Sequence, residues 1–407
     1  MLRDQGAFSR FFHLFKGLDP FNYNHLGPLD LLVLQPTPFC NLACDYCYLT
    51  EEAKANTSKM PHEILRTTLR KVKQSKLLNA KTPLTIVWHA GEPMVAGLSW
   101  YKKAYEIIHE ELDEVFEGSI NTSFQTNGTL INQDWCDFIK KENIAVGVSV
   151  DGPEELNDIN RKTRTGKGTF AKAEKGMKLL EENGIEFHII SVLTSKSIDK
   201  ANLLYDFMKS KNVKQACFNV EESEGVNQVS SLNSESSFKQ VKDFFSTYYD
   251  LSQKDKKNCR EIDSVKKALV HWKPGAAKFI PYNQENWPFK ILNVAYNGSF
   301  STFSPELLGQ KNAEFNDYIL GNVLYDNFED CTKTDVYRRM TSDIRKGVKL
   351  CKKNCQYFDL CGGGAPSNKI HENGSFASTE TNFCKLHKQV PIEIVFEKFG
   401  KPIKKHW

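Results

Sequence analysis

Two compact groups hold seven of the eleven cysteines in this 407-residue chain. The first group, Cys40, Cys44 and Cys47, places three thiols within eight residues. Zinc prefers a closed tetrahedral site with four ligands, and each iron of a four-iron cluster also needs a ligand. Three cysteines on such a cluster leave one iron open, where a small molecule can chelate. The alternative is a zinc site that takes its fourth ligand from elsewhere, for example from His89.

The second group consists of Cys351, Cys355, Cys361 and Cys384. Four thiolates either close a tetrahedral zinc site or saturate a four-iron cluster, and their spacing alone does not decide between the two. The other cysteines are scattered along the chain, and we expect them to be small buried apolar side chains. They are Cys136, Cys217, Cys259 and Cys331.

The composition favours a cytoplasmic protein that binds neither nucleic acid nor a membrane. The formal net charge is +4 and the sequence pI is about 8.3, with no basic stripe interleaved with aromatic residues. No uninterrupted apolar run is long enough to span a bilayer, and residues 1–17 lack the apolar core of a signal peptide. Because disulfides are disfavoured in the cytoplasm, the clustered cysteines predict metal or redox chemistry.

Six strand-then-helix units are predicted to position these groups. The expected strands are 31–38, 84–91, 120–128, 145–152, 186–194 and 215–222. The expected helices are 62–76, 98–115, 132–142, 169–184, 200–210 and 235–254. Such a series predicts a parallel sheet with right-handed crossovers. The fold class is therefore α/β, a partial (β/α)6 TIM-like barrel that we expect to be closed or nearly closed.

Polar and glycine-rich segments follow the strands, at the rim where such barrels carry their chemistry. The first cysteine group follows the first strand. The other segments are Gly91-Glu92-Pro93, Gln125-Thr126-Asn127-Gly128, Asp151-Gly152-Pro153, Thr194-Ser195 and Glu221-Glu222-Ser223-Glu224-Gly225. Each segment taken singly is consistent with an ordinary turn. Their convergence on one rim with a metal-type cysteine group predicts an active site there.

The C-x3-C-x2-C spacing, with Tyr46 just before the last cysteine, closely resembles the signature of the radical S-adenosylmethionine (SAM) superfamily. This resemblance implies a [4Fe–4S] cluster on Cys40, Cys44 and Cys47 whose open iron binds SAM. It further implies reductive cleavage of SAM to methionine and a 5′-deoxyadenosyl radical, which abstracts a substrate hydrogen. The cofactor carries the difficult step, and the protein orients it and excludes solvent.

The same resemblance implies a SAM pocket around the strand ends. Glu92, in a motif that resembles the family's GEP turn, is expected to meet the SAM amino group. Ser149 is expected to contact the ribose, Asp151 to lie near the substrate and Arg161 to reach the SAM carboxylate. The full set of SAM-pocket candidates is Tyr46, Gly91, Glu92, Pro93, Asn127, Ser149, Arg161 and Leu193. The alternatives are a turn-forming Asp151 and an Arg161 on a helix surface.

The second cysteine group resembles a SPASM domain, including the stretch from Tyr357 to Gly364. A full domain of this type holds two auxiliary clusters. The first of these needs a cysteine four residues after Cys361, where this chain has Ala365, and another in the upstream hairpin, which reads Phe303-Ser304. The sequence therefore predicts one auxiliary [4Fe–4S] cluster on the second cysteine group, with a structural zinc as the alternative.

Four stretches together resemble the radical SAM maturases that form three-residue cyclophanes in glycine-rich-repeat peptides: 33–49, 88–94, 218–225 and 361–384. The resemblance implies a ribosomally made precursor peptide as substrate and an external electron donor of the flavodoxin or ferredoxin type. It implies a crosslink between a side-chain Cβ and an aromatic ring, which also needs a base. The candidates are Asp151, Glu221 and Glu222, and the alternative for each is a solvated loop carboxylate.

Three other functions remain open at this point: a sulfatase-maturase-like dehydrogenase that makes formylglycine, a maturase that forms thioether or other peptide crosslinks, and a zinc-stabilised peptide-binding module. The expected domains are an N-terminal extension (1–27), the barrel (28–255), a connector and hairpin region (256–345), a SPASM-like domain (346–390) and a basic tail (391–407). Asn297-Gly298 predicts the hairpin turn within 294–303. The extension or the connector is the candidate for binding a leader peptide.

Overall fold

The structure is a computed structural model that describes residues 26–79, 82–114, 120–255, 257, 259–271 and 283–398. Most of the predicted N-terminal extension and residues 399–407 of the predicted basic tail lie outside the described residues. Of the connector, the segment 272–282 also lies outside them.

Within the described part of the chain the sheet has nine strands, and the first six are those predicted from the sequence. They are β1 (Leu31–Leu34), β2 (Leu84–Trp88), β3 (Ile120–Thr126), β4 (Ala145–Ser149), β5 (Phe187–Leu193), β6 (Gln215–Val220), β7 (Ile291–Val294), β8 (Ser299–Thr302) and β9 (Gly321–Asn322). Strands β1 to β6 pair in sequence order, and every one of these pairings is parallel. The predicted partial barrel is thus confirmed.

The sheet is open, which corrects the expectation of a closed or nearly closed barrel. Its order is β6-β5-β4-β3-β2-β1-β7-β8-β9, so β6 and β9 form the two edges. The predicted hairpin is present, because β7 and β8 pair antiparallel across the Asn297-Gly298 turn. The sequence did not predict that β7 would continue the barrel sheet. It pairs parallel with β1, with Leu31 opposite Ile291.

Helices follow each of the first six strands and cover the sheet. The helices of the barrel half are α1 (Glu51–Ala55), α2 (His62–Gln74), α3 (Leu98–Leu112), α4 (Gln133–Lys141), α5 (Glu154–Asn160), α6 (Phe170–Glu182), α7 (Ala201–Ser210), α8 (Ser237–Ser252) and α9 (Arg260–His271). Local capping explains where several begin. The Asn132 side chain, for example, accepts a hydrogen bond from Trp135 N (3.0 Å) at the start of α4.

In β2 and β5, buried side chains alternate with half-buried ones, whereas β7 is buried throughout. In β5, Phe187, Ile189 and Leu193 are buried and alternate with half-buried residues. Trp88 of β2 lies on the fully buried face, where its ring meets Trp100 edge to face at 5.6 Å. Along the strands of a barrel, side chains that face the interior alternate with those that face the helices. Polar side chains that face a bound molecule are therefore expected on the interior side and at the strand ends.

The C-terminal part contains α10 (Asp335–Asn354), α11 (Phe358–Cys361), α12 (Pro366–Asn373) and α13 (Val390–Lys398). Helix α13 packs against the barrel helix α8, where Lys242 Nζ forms an ion pair with Glu393 (2.9 Å). Residues 391–398 of the predicted tail thus belong to a packed helix, with Phe396 buried. No helix among the described residues is both long enough and apolar enough to cross a membrane.

Candidate active site at the carboxyl end of the sheet

The cysteine loop, residues 40–47, begins a few residues after the end of β1, and backbone hydrogen bonds from two distant segments hold it and the residue before it. The amide of Asp45 donates to Asn160 O (3.0 Å), and that of Ala43 donates to Lys162 O (2.8 Å). From the other side, Glu92 N donates to Phe39 O (2.8 Å). The turn after β2 and the segment after α5 therefore fix the loop at the rim of the sheet.

The three thiols of this loop lie close enough to influence one another. Burial raises the pKa of Cys40, with further raising by Glu92, Cys44 and Cys47. Burial raises the pKa of Cys44 to about 11, although the Arg161 guanidinium opposes the shift. The Leu42 amide donates to Cys40 Sγ (3.5 Å). Thiolates in this environment need additional positive charge, which the irons of a cluster supply.

The three thiols are not arranged around one point. Among the described residues, no three His, Cys, Asp or Glu side chains converge as they would around a single metal ion. A four-iron cluster binds its cysteines through separate irons, so its ligands need not converge in this way.

Gly91 and Glu92 join the turn after β2 to the cysteine loop. Gly91 has a φ of +65°, and a Cβ added there would lie 2.7 Å from the carbonyl oxygens of Pro38 and Phe39. The Glu92 carboxylate is 1% exposed and accepts hydrogen bonds from Met94 N, Thr126 Oγ1 and Asn127 N at 2.7–3.0 Å. Because an ionised carboxylate has about four acceptor sites, one remains for a ligand.

The electrostatics of Glu92 suit an ammonium ligand. Burial raises the pKa of Glu92 to about 7, while the hydrogen bonds from Asn127, Thr126 and Met94 lower it. A bound cation would favour the ionised form and complete the coordination of its oxygens.

We expect Gly91→Ala to lower the free energy of unfolding by about 2 to 4 kcal/mol, because it combines a strained φ with a clash against two backbone carbonyls. The matched control is Gly97→Ala. Gly97 also has a positive φ of +90°, but no atom lies within 4 Å of its added Cβ. Strain alone gives a loss of about 1 to 2 kcal/mol there. Denaturant titration of both variants checks the expectation, and equal losses would contradict it.

Asp151 and Arg161 form a buried ion pair beneath the cysteine loop. Arg161 Nη2 donates to Asp151 Oδ1 at 3.0 Å, and the two side chains are 9% and 2% exposed. Tyr46 Oη donates to Asp151 Oδ2 (2.6 Å), and Val192 N donates to Asp151 Oδ1 (3.0 Å). Both carboxylate oxygens are therefore engaged. Neither a surface Arg161 nor a merely turn-forming Asp151 agrees with this arrangement.

The Arg161 guanidinium retains binding capacity beside this pair. It lies 5.6 Å from the centroid of the Tyr46 ring, and its buried Nε has no hydrogen-bond partner among the described residues. A buried guanidinium with an unused donor beside the cysteine loop suits a carboxylate ligand.

The remaining SAM-pocket candidates lie at neighbouring strand ends. Asn127 Nδ2 donates to Asn41 Oδ1 of the cysteine loop (2.8 Å). Ser149, at the end of β4, accepts from Gln125 Nε2 (2.8 Å). Pro93 and Leu193 are fully buried. The structure thus brings the end of β3 to the cysteine loop, whereas Leu193 is enclosed in the core.

The second cysteine group lines one cavity in the C-terminal part, which we call the auxiliary cavity. Its lining includes the four thiols of Cys351, Cys355, Cys361 and Cys384. Burial raises the pKa of Cys355 to about 11, and the neighbouring Cys361 and Cys351 raise it further. Thr381 N donates to Cys384 Sγ at 3.2 Å. Four thiols around one cavity, one of them hydrogen-bonded by an amide, suit a four-iron cluster.

Hydrogen-bonded side chains occupy the place where a first auxiliary cluster would need ligands. Ser304 Oγ accepts from Ser367 N (3.3 Å), which brings position 304 next to Ala365 at the start of α12. The same Ser304 hydroxyl donates to Glu285 Oε2 (2.7 Å).

The four scattered cysteines lie elsewhere in the core with at most 3% exposure, as expected of small apolar side chains. They are Cys136, Cys217, Cys259 and Cys331.

A cluster of four acidic side chains, which we call the acidic pocket, adjoins this place. It consists of Glu222, Glu224, Glu285 and Glu306, whose charges act on one another. Burial raises the pKa of Glu222 to about 7 and that of Glu306 to about 8, and the charge of Glu285 raises both further. Glu224 is 4% exposed, and burial raises its pKa well above the usual range.

The acidic pocket lies between the two cysteine groups. On one side lies Tyr48, the residue after the cysteine loop. Burial raises the pKa of Tyr48, and the charges of the acidic pocket and of Cys47 raise it further. On the other side, Glu222 Oε2 accepts from Asn368 Nδ2 (2.5 Å), and its pKa is lowered by the charge of Lys388, which lines the auxiliary cavity.

The three candidate bases differ in how their carboxylates are engaged. Glu221 Oε2 accepts from both the amide and the hydroxyl of Ser231, so it fixes the loop after β6. Asp151 is held in its ion pair. Glu222 receives one hydrogen bond from Asn368 and faces the other carboxylates of the pocket. Sequence reasoning missed Glu224, Glu285 and Glu306 as a group because 285 and 306 come from segments far from β6.

Comparisons with known proteins agree with this geometry. The radical SAM superfamily profile matches residues 34–208. Uncharacterized protein sll1766 of Synechocystis sp. is 37% identical over 375 residues, covering 91% of this chain and 92% of that protein. The cysteine-type anaerobic sulfatase-maturating enzyme of Clostridium perfringens (strain ATCC 13124) is 26% identical over 378 residues, covering 89% and 95%. The solved structure of histidine-tagged anSMEcpe with bound AdoMet superposes with a TM-score of 0.73. Its sequence is 25% identical, and the match covers 91% of this chain and 94% of that one.

Proposed function

The chain belongs to the radical SAM superfamily, and we propose that it is a peptide maturase that joins a side-chain Cβ to the aromatic ring of a residue two positions earlier in a ribosomally made precursor. Its cofactors are SAM and [4Fe–4S] clusters. A peptide substrate is supported by its similarity to a sulfatase-maturating enzyme over most of both chains. A flavodoxin or ferredoxin is the proposed electron donor.

We assign each group of this chain a part in the reaction. Cys40, Cys44 and Cys47 hold the cluster with the open iron. Glu92 and Arg161 orient SAM, through the free acceptor of Glu92 and the unused Nε of Arg161. SAM bound there supplies a 5′-deoxyadenosyl radical, which takes one hydrogen atom from the substrate Cβ. The ion pair with Asp151 keeps the guanidinium in place.

The acidic pocket between the two cysteine groups is the main support for the crosslinking proposal. When the substrate carbon radical adds to an aromatic ring, the adduct must lose one electron and one proton to regain aromaticity. Cys351, Cys355, Cys361 and Cys384 would hold an auxiliary cluster that could take up the electron. Glu222, with its pKa raised to about 7 by burial, is ionised in part at neutral pH and accepts the proton. The net change in the peptide is the loss of two hydrogen atoms.

Co-expression with small peptides encoded beside the gene tests this function. We expect mass spectrometry to find a peptide lighter by two hydrogens, whose backbone fails to fragment between the joined residues. Replacing the aromatic residue by alanine in the precursor removes the ring that is attacked, so the modification is expected to disappear. A precursor that stays unmodified with active enzyme would contradict the proposal.

A second candidate is formylglycine formation, favoured by the similarity to the cysteine-type sulfatase-maturating enzyme. Oxidation of a serine also removes two hydrogens, so the mass alone does not separate the two reactions. A hydrazide probe labels the aldehyde of formylglycine and leaves a cyclophane unlabelled. Iodoacetamide identifies a thioether crosslink, because the cysteine thiol is then consumed. Hydrazide labelling of the product would therefore replace the first proposal by the second.

A further inference from the structure

A lysine side chain is enclosed beside the auxiliary cavity. Lys369 lies in α12 and is only 2% exposed. Its Nζ atom is buried and has no hydrogen-bond partner among the residues that the structure describes. Lysines are almost never fully buried unless their charge is paired, because desolvation of an ammonium is costly. The group that its ammonium does act on is the Cys351 thiol, whose pKa it lowers.

Two glycine positions show where the end of the Lys369 side chain lies. A Cβ added to Gly347 would lie 3.2 Å from Lys369 Nζ, and one added to Gly364 would lie 3.5 Å from Lys369 Cε. Gly347 and Cys351 are four residues apart in α10, so they share one face of that helix. Gly364 and Cys351 both line the auxiliary cavity. The end of the lysine side chain thus lies next to residues that line the cavity, and its charge counteracts part of the burial effect on the pKa of Cys351.

A cation at this position acts on the charge of the cluster. A [4Fe–4S] cluster with four thiolate ligands is anionic, and it becomes more negative by one charge when it accepts an electron. In a buried site, water screens the attraction between that charge and an ammonium only weakly. We propose that Lys369 is a positioning residue that stabilises the reduced auxiliary cluster and thereby raises its reduction potential. This inference rests on the proposed function, in which the cluster accepts one electron from the substrate adduct.

The test is an EPR-monitored potentiometric titration of the full-length protein, reconstituted with iron and sulfide. Cys40, Cys44 and Cys47 are replaced by alanine in all samples, so that the auxiliary cluster gives the only signal. In this background we compare the neutral variants Lys369→Gln and Lys369→Met with the charge-conserving variant Lys369→Arg. Lys388→Gln is the matched control, since Lys388 lines the same cavity but is only half-buried. Iron per chain is measured for each sample.

We expect both neutral variants to keep their iron and to show a lower midpoint potential. Lys369→Arg is expected to stay near the parent value, and Lys388→Gln to shift less than the neutral Lys369 variants, because water screens its charge. Unchanged potentials in the neutral variants at full iron content would overturn the proposal. The two neutral variants could also fail to bind iron. In that case, a Lys369→Arg variant that binds iron and keeps the parent potential would still support a role of the charge. Failure of all three Lys369 variants to bind iron would indicate a steric role and overturn it.

This measurement separates the inference from the proposed function. A parent protein without any auxiliary signal would contradict the auxiliary cluster and with it the electron acceptor of the crosslinking proposal. A normal signal whose potential does not respond to Lys369 would contradict only the role of the lysine.

Discussion

Replacing any one of Cys40, Cys44 and Cys47 by alanine is expected to reduce the cleavage of SAM to background. Each thiol supplies one ligand to the cluster with the open iron, and the loop holds no spare cysteine within its eight residues. The iron content is expected to fall from about eight to about four atoms per chain, because the auxiliary site is separate. The formation of 5′-deoxyadenosine under dithionite, measured by liquid chromatography, gives the activity.

The control for these variants is Cys136→Ala. Cys136 is a fully buried cysteine in α4 that belongs to neither group. It is expected to leave both the iron content and SAM cleavage near the wild-type values. Retained cleavage in the cysteine-loop variants, or equal loss in the control, would contradict the assignment of the cluster to this loop.

Glu222→Gln is expected to lower the crosslinking rate by roughly 100-fold while SAM cleavage continues. Glutamine keeps the shape of the side chain but accepts no proton, so the adduct cannot regain aromaticity through this position. In the wild type, the crosslinking rate is expected to rise with pH through about 7, because only the ionised carboxylate acts as a base. Peptide mass spectrometry and deoxyadenosine measurement on the same samples give the two rates.

Two other variants sharpen this test. Glu306, whose pKa burial raises to about 8, is mostly protonated at pH 7, so Glu306→Gln is expected to change the rate little there. Asp151→Asn removes the charge that holds Arg161 and is expected to impair SAM cleavage and crosslinking together. If Asp151→Asn suppressed only the crosslink and Glu222→Gln suppressed both activities, the two roles would have to be exchanged.

The parts of the fold that repeat locally could be predicted from the sequence. The six strands and the helices that follow them carry their hydrophobic periodicity within single segments, and all six strands are found where they were expected. The second cysteine group could also be found from the sequence, and the structure gathers its four members around one cavity. The buried positions of the four scattered cysteines also follow from composition alone.

The parts that depend on long-range contacts could not be predicted. The parallel pairing of β1 with β7 joins segments about 260 residues apart, and nothing local marks a strand as the neighbour of a distant one. The acidic pocket likewise combines Glu222 with Glu285 and Glu306, which lie in separate short segments. Lys369 reads as an ordinary polar position of a short helix until the fold encloses it. Burial of charge is therefore the property that the sequence left open.

The most direct test of the account is single-turnover SAM cleavage by the anaerobically reconstituted protein, in the absence of any peptide. We expect methionine and 5′-deoxyadenosine in equal amounts when the cluster is reduced, and neither product when Cys44 is alanine. A protein that binds zinc without sulfide, or that holds iron and sulfide but leaves SAM intact after reduction, would contradict it.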